Sequence, residues 1–164
     1  MIIVIMGVSG TGKTSLGKIL QKKINIPFYD ADDFHSKENI NKMRRLESLD
    51  DADRQVWLRD LSKSLSRWEQ KNGAILACSA LKESYRVILQ SKLRFTINWV
   101  CLYGDPKVIH ERLKNRKDHF FSAELLSSQY DQLEVPKYGS HYNVKTPLQS
   151  IAEKIISKLN NMRN

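Results

Sequence analysis

Short apolar runs alternate with stretches of helical periodicity along this chain. Four of the runs have the length and composition of buried strands, and they occupy residues 2–6, 26–29, 74–78 and 97–102. A fifth strand is expected around residues 141–144, where the apolar pattern is poorer. Between the runs, apolar residues recur three or four positions apart, which predicts amphipathic helices. They form four stripes: Leu16, Ile19, Leu20 and Ile24; Trp57, Leu61, Leu65 and Trp68; Leu81, Tyr85, Ile88 and Leu89; and Leu148, Ile151, Ile155 and Leu159.

Two of the later helices have recognisable starts. Asp105-Pro106 and Thr146-Pro147 each combine a capping residue with a proline in the first turn. Strands that alternate with helices predict a parallel sheet covered on both faces, because each parallel connection needs a crossover. The sequence contains no internal repeat and no linker, so a single α/β domain with a five-stranded sheet is expected over residues 1–164.

The first predicted strand leads directly into a glycine-rich loop. The segment GVSGTGKT fits the pattern G-x-x-x-x-G-K-[ST] in full, between a buried strand and an amphipathic helix. Glycines let the backbone approach a pyrophosphate closely, and the amide hydrogens at the helix start point at its oxygens. Lys13 is expected to reach the β- and γ-phosphates, and the Thr14 hydroxyl to bind Mg²⁺. The residues predicted to bind a nucleoside triphosphate are Gly7, Val8, Ser9, Gly10, Thr11, Gly12, Lys13 and Thr14.

Acidic residues follow the second predicted strand, in the segment IPFYDADDFH. Ligands of parallel α/β sheets bind at the carboxyl ends of the strands. Asp30 and Asp32 are two positions apart, so on an extended strand both point to the same side. One carboxylate can then belong to the magnesium shell while the other accepts the proton of an attacking hydroxyl.

The sequence lacks the signatures of other classes of nucleotide-binding protein. The chain has no N-K-x-D sequence, and Ser79 follows the third predicted strand in place of the acidic residue of a mechanical ATPase. These absences favour a small-molecule kinase. Two alternatives remain open: a shikimate kinase-like phosphotransferase and a nucleotide-binding module without turnover. Against the first, that family uses a double-glycine loop, and no two of the seven glycines here are adjacent.

Six segments resemble those of the gluconokinase family, in the same order and at similar spacing. They are GVSGTGKT, DADDFHSKENINKM, LDDADRQVWL, CSALKESYR, RLKNRKDHFF and LLSSQYDQLEVP. The resemblance is close over residues 2–136 and weak beyond them. It implies a three-layer P-loop kinase fold and the ATP- and Mg²⁺-dependent phosphorylation of D-gluconate to 6-phospho-D-gluconate. It also implies a short lid at about residues 112–124, and homodimers are common in the family.

The resemblance further implies roles for individual residues. Asp30 corresponds to the magnesium-shell acid and Asp32 to the base that faces the acceptor hydroxyl. The positions around the substrate cleft are His35, Lys42, Arg54, Ser79, Lys82 and Arg86. Which of these cations binds the gluconate carboxylate is left open. Arg112 and the catalytic Arg116 fall in the lid, where related kinases place arginines on the phosphates or beside the adenine, and Pro147 falls near the adenine.

Composition and charge narrow the range of partners. The net charge is +9, but the basic residues are spread through the chain and no zinc-finger or RNA-binding motif accompanies them, so nucleic acid is not an expected partner. The opening apolar run is too short for a membrane span or a signal peptide. Cys78 and Cys101 lie in apolar runs without metal or disulfide spacing, so we expect buried thiols in a cytoplasmic protein.

Overall fold

The computed structural model describes residues 1–115 and 125–162, and a five-stranded sheet lies at the centre of these residues. The strands are β1 (Ile2–Met6), β2 (Phe28–Asp30), β3 (Ala74–Ala77), β4 (Asn98–Tyr103) and β5 (Ser140–Asn143). The helices are α1 (Lys13–Ile24), α2 (Lys37–Arg44), α3 (Asp51–Glu69), α4 (Glu83–Gln90), α5 (Pro106–Lys114), α6 (Leu126–Gln132) and α7 (Leu148–Asn161). A 3₁₀ turn, Ala31–Phe34, follows β2 directly.

The sheet is parallel throughout, with the strand order β2-β3-β1-β4-β5. β1 is the central strand, and its Val4 lies in register with Leu76 of β3 and Trp99 of β4. Parallel pairing brings the carboxyl ends of all strands to one edge of the sheet. The loop after β1, the acidic turn after β2 and the loop after β3 therefore meet at this edge, which is where such sheets bind ligands.

Each face of the sheet has its own hydrophobic core because successive side chains of a strand point to opposite faces. Ile3 and Ile5 of β1 pack with apolar residues of α1, α5 and α7 on one face. Val4 and Met6 pack with α3 and α4 on the other face. The result is the three-layer α/β fold with a five-stranded parallel sheet that the sequence predicts, and this prediction is confirmed.

Element boundaries differ from the predicted ones at a few points. β2 begins at Phe28, two residues after the predicted start, because Asn25 ends α1 in the left-handed conformation and the chain turns before it joins the sheet. Asp105 caps α5 as predicted, since its side chain accepts from the Lys107 N–H at 2.8 Å. Thr146 does not cap α7. Pro147 occupies the cap position without a side-chain hydrogen bond, so the prediction of a Thr146 cap is wrong.

Two further sequence predictions can be compared with the described residues. Both cysteines are buried and unpaired, as expected. In the described ranges, none of the helices combines the length and the apolar character that crossing a membrane requires. Most of the predicted lid, including Arg116, lies outside the described residues.

Candidate active site

The glycine-rich loop connects β1 to α1 at the carboxyl edge of the sheet. Gly7, Gly10 and Gly12 have φ angles of 136°, 82° and 93°, a region that residues with a Cβ rarely adopt. A Cβ on Gly7 would also collide with the carbonyl oxygen of Leu102. α1 begins without a capping side chain and without an acidic residue in its first turn. Its first N–H groups and the positive end of its dipole are therefore suited to an anion.

The Lys13 side chain folds back over this loop. Its ammonium group donates to the carbonyl oxygens of Gly7 and Val8, at 3.0 Å in each case. The Thr11 hydroxyl also donates to the Val8 carbonyl oxygen at 2.8 Å, and this hydrogen bond stabilises the loop. The positive charge of Lys13 is thereby held against the loop, where a bound triphosphate would meet it.

The Thr14 hydroxyl and the Asp30 carboxylate form the candidate magnesium site. The Thr14 hydroxyl donates to Asp30 Oδ2 at 2.7 Å, so the first turn of α1 and the end of β2 are joined at this point. A hydroxyl and a carboxylate are hard oxygen donors, and Mg²⁺ is typically held by one or two such protein groups together with waters and phosphate oxygens. The chemistry of these two residues therefore fits the ion.

Asp32 reaches the site by a different route from the one that the sequence predicts. It lies in the 3₁₀ turn and not on an extended strand, because the Asp30 side chain caps the turn by accepting the Asp32 N–H at 3.2 Å. Negative charge is concentrated in this turn. Burial, followed by repulsion from Asp30 and Asp32, raises the pKa of the neighbouring Asp33.

Asp32 and Lys13 line the same narrow cavity, which has a volume of about 40 Å³. We call this the acceptor cavity. Its walls come from the phosphate loop, the turn after β2, α2, α3, the loop after β3 and the α6 region, and its residues include His35, Arg54 and Ser79. Of the predicted acceptor-side residues, the structure thus brings Asp32, His35, Arg54 and Ser79 together beside Lys13.

His35 is held in the wall of the acceptor cavity by stacking. Its ring lies 4.3 Å from the Trp57 ring at an angle of 15°, and its side chain is only 6% exposed. Burial lowers the pKa of His35, the nearby Arg54 lowers it further, and Asp32 acts in the opposite direction. Within the described part of the chain, the buried Nδ1 has no hydrogen-bond partner. A neutral imidazole with an unused nitrogen is suited to a substrate hydroxyl.

Arg54 brings a second positive charge to the acceptor cavity. The residue is 9% exposed, and its Nη1 donates to the Leu49 carbonyl at 2.5 Å and to Gln132 Oε1 at 2.9 Å. Among the hydrogen bonds of the described residues, those of Arg54 all use Nη1. Its other guanidinium nitrogens retain their capacity to donate to a carboxylate.

Lys42 and Lys82 do not line the acceptor cavity. Each forms a two-pronged ion pair with an acid in the first turn of α3: Lys42 with Asp53 at 2.7 and 2.9 Å, and Lys82 with Asp51 at the same two distances. The hydrogen bonds from these lysines hold the pKa values of both acids below their usual range. The two predicted substrate cations are therefore engaged with the protein at the helix start.

Arg86 is also committed to the protein. It is 2% exposed, and all five of its N–H donors have partners: the carbonyls of Ala80, Leu81 and Glu134, the Glu83 carboxylate and the Tyr138 hydroxyl. The geometry does not bring Arg86 into the acceptor cavity. It supports the loop that carries Ser79 into that cavity.

The nucleotide side of the site contains Arg112 and Pro147. Arg112 Nη2 donates to the Val144 carbonyl at 3.2 Å and so joins α5 to the segment after β5. Pro147 precedes α7 in the same segment, and the following Leu148 would be the nearest neighbour of a Cβ on Gly12, at 3.7 Å. Pro147 thus precedes a residue that faces the loop, and Arg112 belongs to a helix, α5, whose Ile109 and Leu113 face Gly10 of the loop. Arg116, the third residue predicted here, lies outside the described residues.

Sequence reasoning missed Gln129 of α6. Its Oε1 accepts the Ser9 N–H of the phosphate loop at 2.7 Å, and it lines the acceptor cavity. The signal was weak: Gln129 lies in the segment LLSSQYDQLEVP, but only the fold shows that this polar side chain is buried. Trp57 was predicted as a core residue. It packs in the core and also stacks on His35.

Comparisons with known proteins agree with this geometry. A protein-family model described as an AAA domain matches residues 3–125. The probable gluconokinase of Dictyostelium discoideum is 36% identical, over 98% of this chain and 85% of that protein. The thermoresistant gluconokinase of Escherichia coli (strain K12) is 38% identical, over 82% of this chain and 77% of that protein.

Comparisons with solved structures agree with the sequence comparisons. A gluconokinase from Sinorhizobium meliloti 1021 superposes with a TM-score of 0.86 at 34% identity, covering 98% of this chain and 91% of that one. A shikimate kinase from Aquifex aeolicus vf5 superposes with a TM-score of 0.62 at 21% identity, over 99% of this chain and 98% of that one. At that identity the second likeness shows a shared fold alone.

Proposed function

The chain belongs to the gluconokinase family, and on that premise we propose how its residues phosphorylate D-gluconate with ATP to give 6-phospho-D-gluconate. The observation that carries the assignment of roles is the acceptor cavity, in which Lys13 of the phosphate loop and Asp32 of the acidic turn line the same space. A phosphate donor and an acceptor alcohol can meet there. The other predicted class, a nucleotide-binding module without turnover, gives no reason for a carboxylate in that position.

The proposed reaction is an in-line transfer. The 6-hydroxyl oxygen of gluconate attacks the γ-phosphorus of ATP, the bond from that phosphorus to the β–γ bridging oxygen breaks, and ADP leaves with the bonding electrons. Asp32 accepts the hydroxyl proton as the oxygen attacks. Lys13 and the loop amides bind the phosphate oxygens on which negative charge spreads in the transition state.

Thr14 and Asp30 are the proposed magnesium ligands. When bound, Mg²⁺ neutralises charge on the β- and γ-phosphates. The Thr14–Asp30 hydrogen bond of 2.7 Å holds these two oxygen donors side by side before the ion arrives. Arg116 of the lid and Arg112 beside the β5–α7 segment are proposed to add positive charge on the nucleotide side.

Gluconate is proposed to bind in the acceptor cavity through Arg54, His35 and Ser79. Arg54 is our choice for the carboxylate, since it lines this cavity and its hydrogen bonds to other described residues use Nη1 alone. His35 and Ser79 are suited to hydroxyl groups, which both donate and accept. Lys42, Lys82 and Arg86 are proposed to act indirectly, by holding α3 and the loop after β3.

The proposal also includes the cellular compartment and the partners of the protein. Two buried, unpaired cysteines agree with a reducing cytoplasm. We propose small-molecule partners, ATP and gluconate, with no role for nucleic acid or membrane. The homodimer implied by the family resemblance stays a prediction.

ADP release measured with a panel of sugar acids tests the function. We expect Mg²⁺-dependent turnover with gluconate and little turnover with shikimate, gluconolactone or nucleoside monophosphates. Lys13→Ala should lose several orders of magnitude in kcat, because it removes charge from the transferring phosphate. ADP release in water alone at the same rate as with gluconate would reject the assignment.

A further inference from the structure

Gln129 occupies an unusual position for a neutral polar residue. It lies on α6, is 6% exposed, and lines the acceptor cavity together with Asp32 and His35. Burying an amide has a cost unless its hydrogen-bonding groups find partners. One side of this amide has a partner in the protein, and the residue as a whole lines the cavity.

The hydrogen bond from the phosphate loop determines which way the amide points. The Ser9 N–H lies 2.7 Å from the Gln129 side chain. A backbone N–H can only donate, so the atom that it meets must be the carbonyl oxygen Oε1. The Nε2 amino group is therefore on the opposite side of the amide. Among the described residues it donates to no protein acceptor.

The surroundings of Nε2 indicate what it binds. The attacking hydroxyl needs an acceptor for its proton, which Asp32 provides, whereas Nε2 offers only donors. A donor to the attacking oxygen would withdraw electron density from the nucleophile, so the productive partner of Nε2 is a different oxygen of the acceptor molecule. Lys13 and Arg54 flank the same space, so an oxygen-rich anion such as gluconate is electrostatically favoured there.

We propose that Gln129 is a substrate-binding residue: its Nε2 donates to a non-reacting oxygen of gluconate while its Oε1 is anchored on the Ser9 N–H. This inference rests on the proposed function and adds a residue to it. The amide ties the position of the acceptor to the phosphate loop, so the attacking hydroxyl is held relative to the γ-phosphate. An acceptor without an oxygen at that point forgoes this hydrogen bond and binds less tightly.

Two substitutions separate the two sides of the amide. Gln129→Glu keeps an oxygen for the Ser9 N–H but loses both Nε2 donors and adds negative charge near Asp32. Gln129→Met keeps the approximate volume and loses both contacts. Gln70→Glu, on the exposed end of α3, is the matched control for the change in charge. The melting temperature of each variant shows whether it is folded.

Steady-state kinetics with gluconate and ATP, together with calorimetric titration of Mg·ADP in the absence of gluconate, give the readouts. For Gln129→Glu we expect the gluconate KM to rise by about 10- to 100-fold, the size expected for a lost hydrogen bond with an unpaired partner. The affinity for Mg·ADP should stay within about twofold, and Gln70→Glu should match the wild type. If Gln129→Glu does not fold, the same increase in gluconate KM in Gln129→Met supports the proposal.

A gluconate KM within about twofold of the wild type in the folded variants overturns the proposal. Equal losses of gluconate and Mg·ADP binding overturn it too, because they would assign Gln129 to the loop alone. Wild-type turnover distinguishes the two levels of inference. A wild type that phosphorylates gluconate normally while the variants are unaffected contradicts only the role of Gln129, whereas a wild type without gluconate turnover contradicts the proposed function itself.

Discussion

At the scale of single residues, Asp30 and Asp32 are held in different ways although they are two positions apart. Both oxygens of Asp30 have contacts, with the Thr14 hydroxyl on one side and the Asp32 N–H on the other. The Asp32 side chain is 39% exposed and lines the acceptor cavity. The family resemblance implies the magnesium role for Asp30 and the proton-accepting role for Asp32, and we propose the same division here.

Asp32→Asn should lower kcat by about two to four orders of magnitude, because the amide cannot accept the hydroxyl proton. The substitution preserves shape, so the gluconate KM should change by less than about fivefold. Steady-state kinetics at saturating ATP measure both quantities. Asp33→Asn removes a carboxylate from the same turn outside the cavity and is the control, with an expected kcat close to that of the wild type. A rise in gluconate KM with unchanged kcat would instead make Asp32 a positioning residue.

His35 should make the stability of the protein depend on pH below neutrality. Its pKa in the folded state lies below the usual value of 6.5, chiefly because of burial. Above that value the imidazole is neutral in both states and contributes nothing. As the pH falls, the unfolded chain takes up the proton first, so stability is lost progressively down to the folded pKa.

Melting temperatures between pH 7 and pH 5 test this linkage. His35→Phe keeps a ring for stacking on Trp57 and removes the titrating group, so its melting temperature should fall less over this range than that of the wild type. The other three histidines, His110, His119 and His141, are present in both proteins and cancel in the comparison. Identical slopes for variant and wild type would contradict a buried, neutral His35.

At the scale of elements, the Arg86 network joins α4, the loop after β3 and the segment after α6. Arg86→Met leaves the carbonyls of Ala80 and Glu134 without donors, while the Leu81 carbonyl keeps the backbone N–H of Glu134. The substitution should lower the free energy of unfolding by roughly 3 kcal/mol or more. Arg86→Lys should recover only part of the loss, since an ammonium has three donors and not five. Urea denaturation measures both effects. The exposed Arg59→Met is the control, and full stability combined with lost gluconate binding would restore Arg86 as a substrate residue.

The sequence predicted the elements well wherever one physical pattern dominated. β1 is buried on both faces, so its apolar run matches the strand residue for residue. The glycine-rich loop was recognisable because its glycines, Lys13 and Thr14 are consecutive in sequence and need no tertiary contact to be identified. β5 gave a weaker signal, since it is an edge strand with the sequence SHYN and no fully buried residue. The Thr146 cap was wrong because Pro147 takes the cap position without help from a side chain.

The candidate site was predictable in outline and not in its individual contacts. Lys42, Lys82 and Arg54 are all cations in segments that resemble the family, but of these three only Arg54 lines the acceptor cavity. Their ion pairs with Asp53 and Asp51 depend on how α2 and the loop after β3 meet the start of α3, which is a tertiary property. Gln129 was missed for the same reason, because its importance arises from a contact with a loop 120 positions earlier.

At the scale of the whole molecule, the acceptor cavity is narrow among the described residues. Its volume of about 40 Å³ has room for roughly three water molecules and not for a six-carbon sugar acid. Its outer wall is a small hydrophobic cluster of Met43, Leu49 and Leu125, which joins the α2 side to the α6 side. Beside it, the Ser48 and Ser128 hydroxyls are hydrogen-bonded at 2.9 Å. We therefore expect these two sides to separate when gluconate binds.

A disulfide between the two sides should therefore keep the cavity narrow and block turnover. In Ser48→Cys/Ser128→Cys the thiols replace hydroxyls that already touch, which is close enough for a disulfide with little backbone movement. We expect the oxidised double variant to lose gluconate turnover and to regain it with a reducing agent. Cys78 and Cys101 are buried and do not compete for oxidation. The single variant Ser48→Cys under the same oxidant is the control, and full turnover of the cross-linked double variant would mean that gluconate enters without this separation.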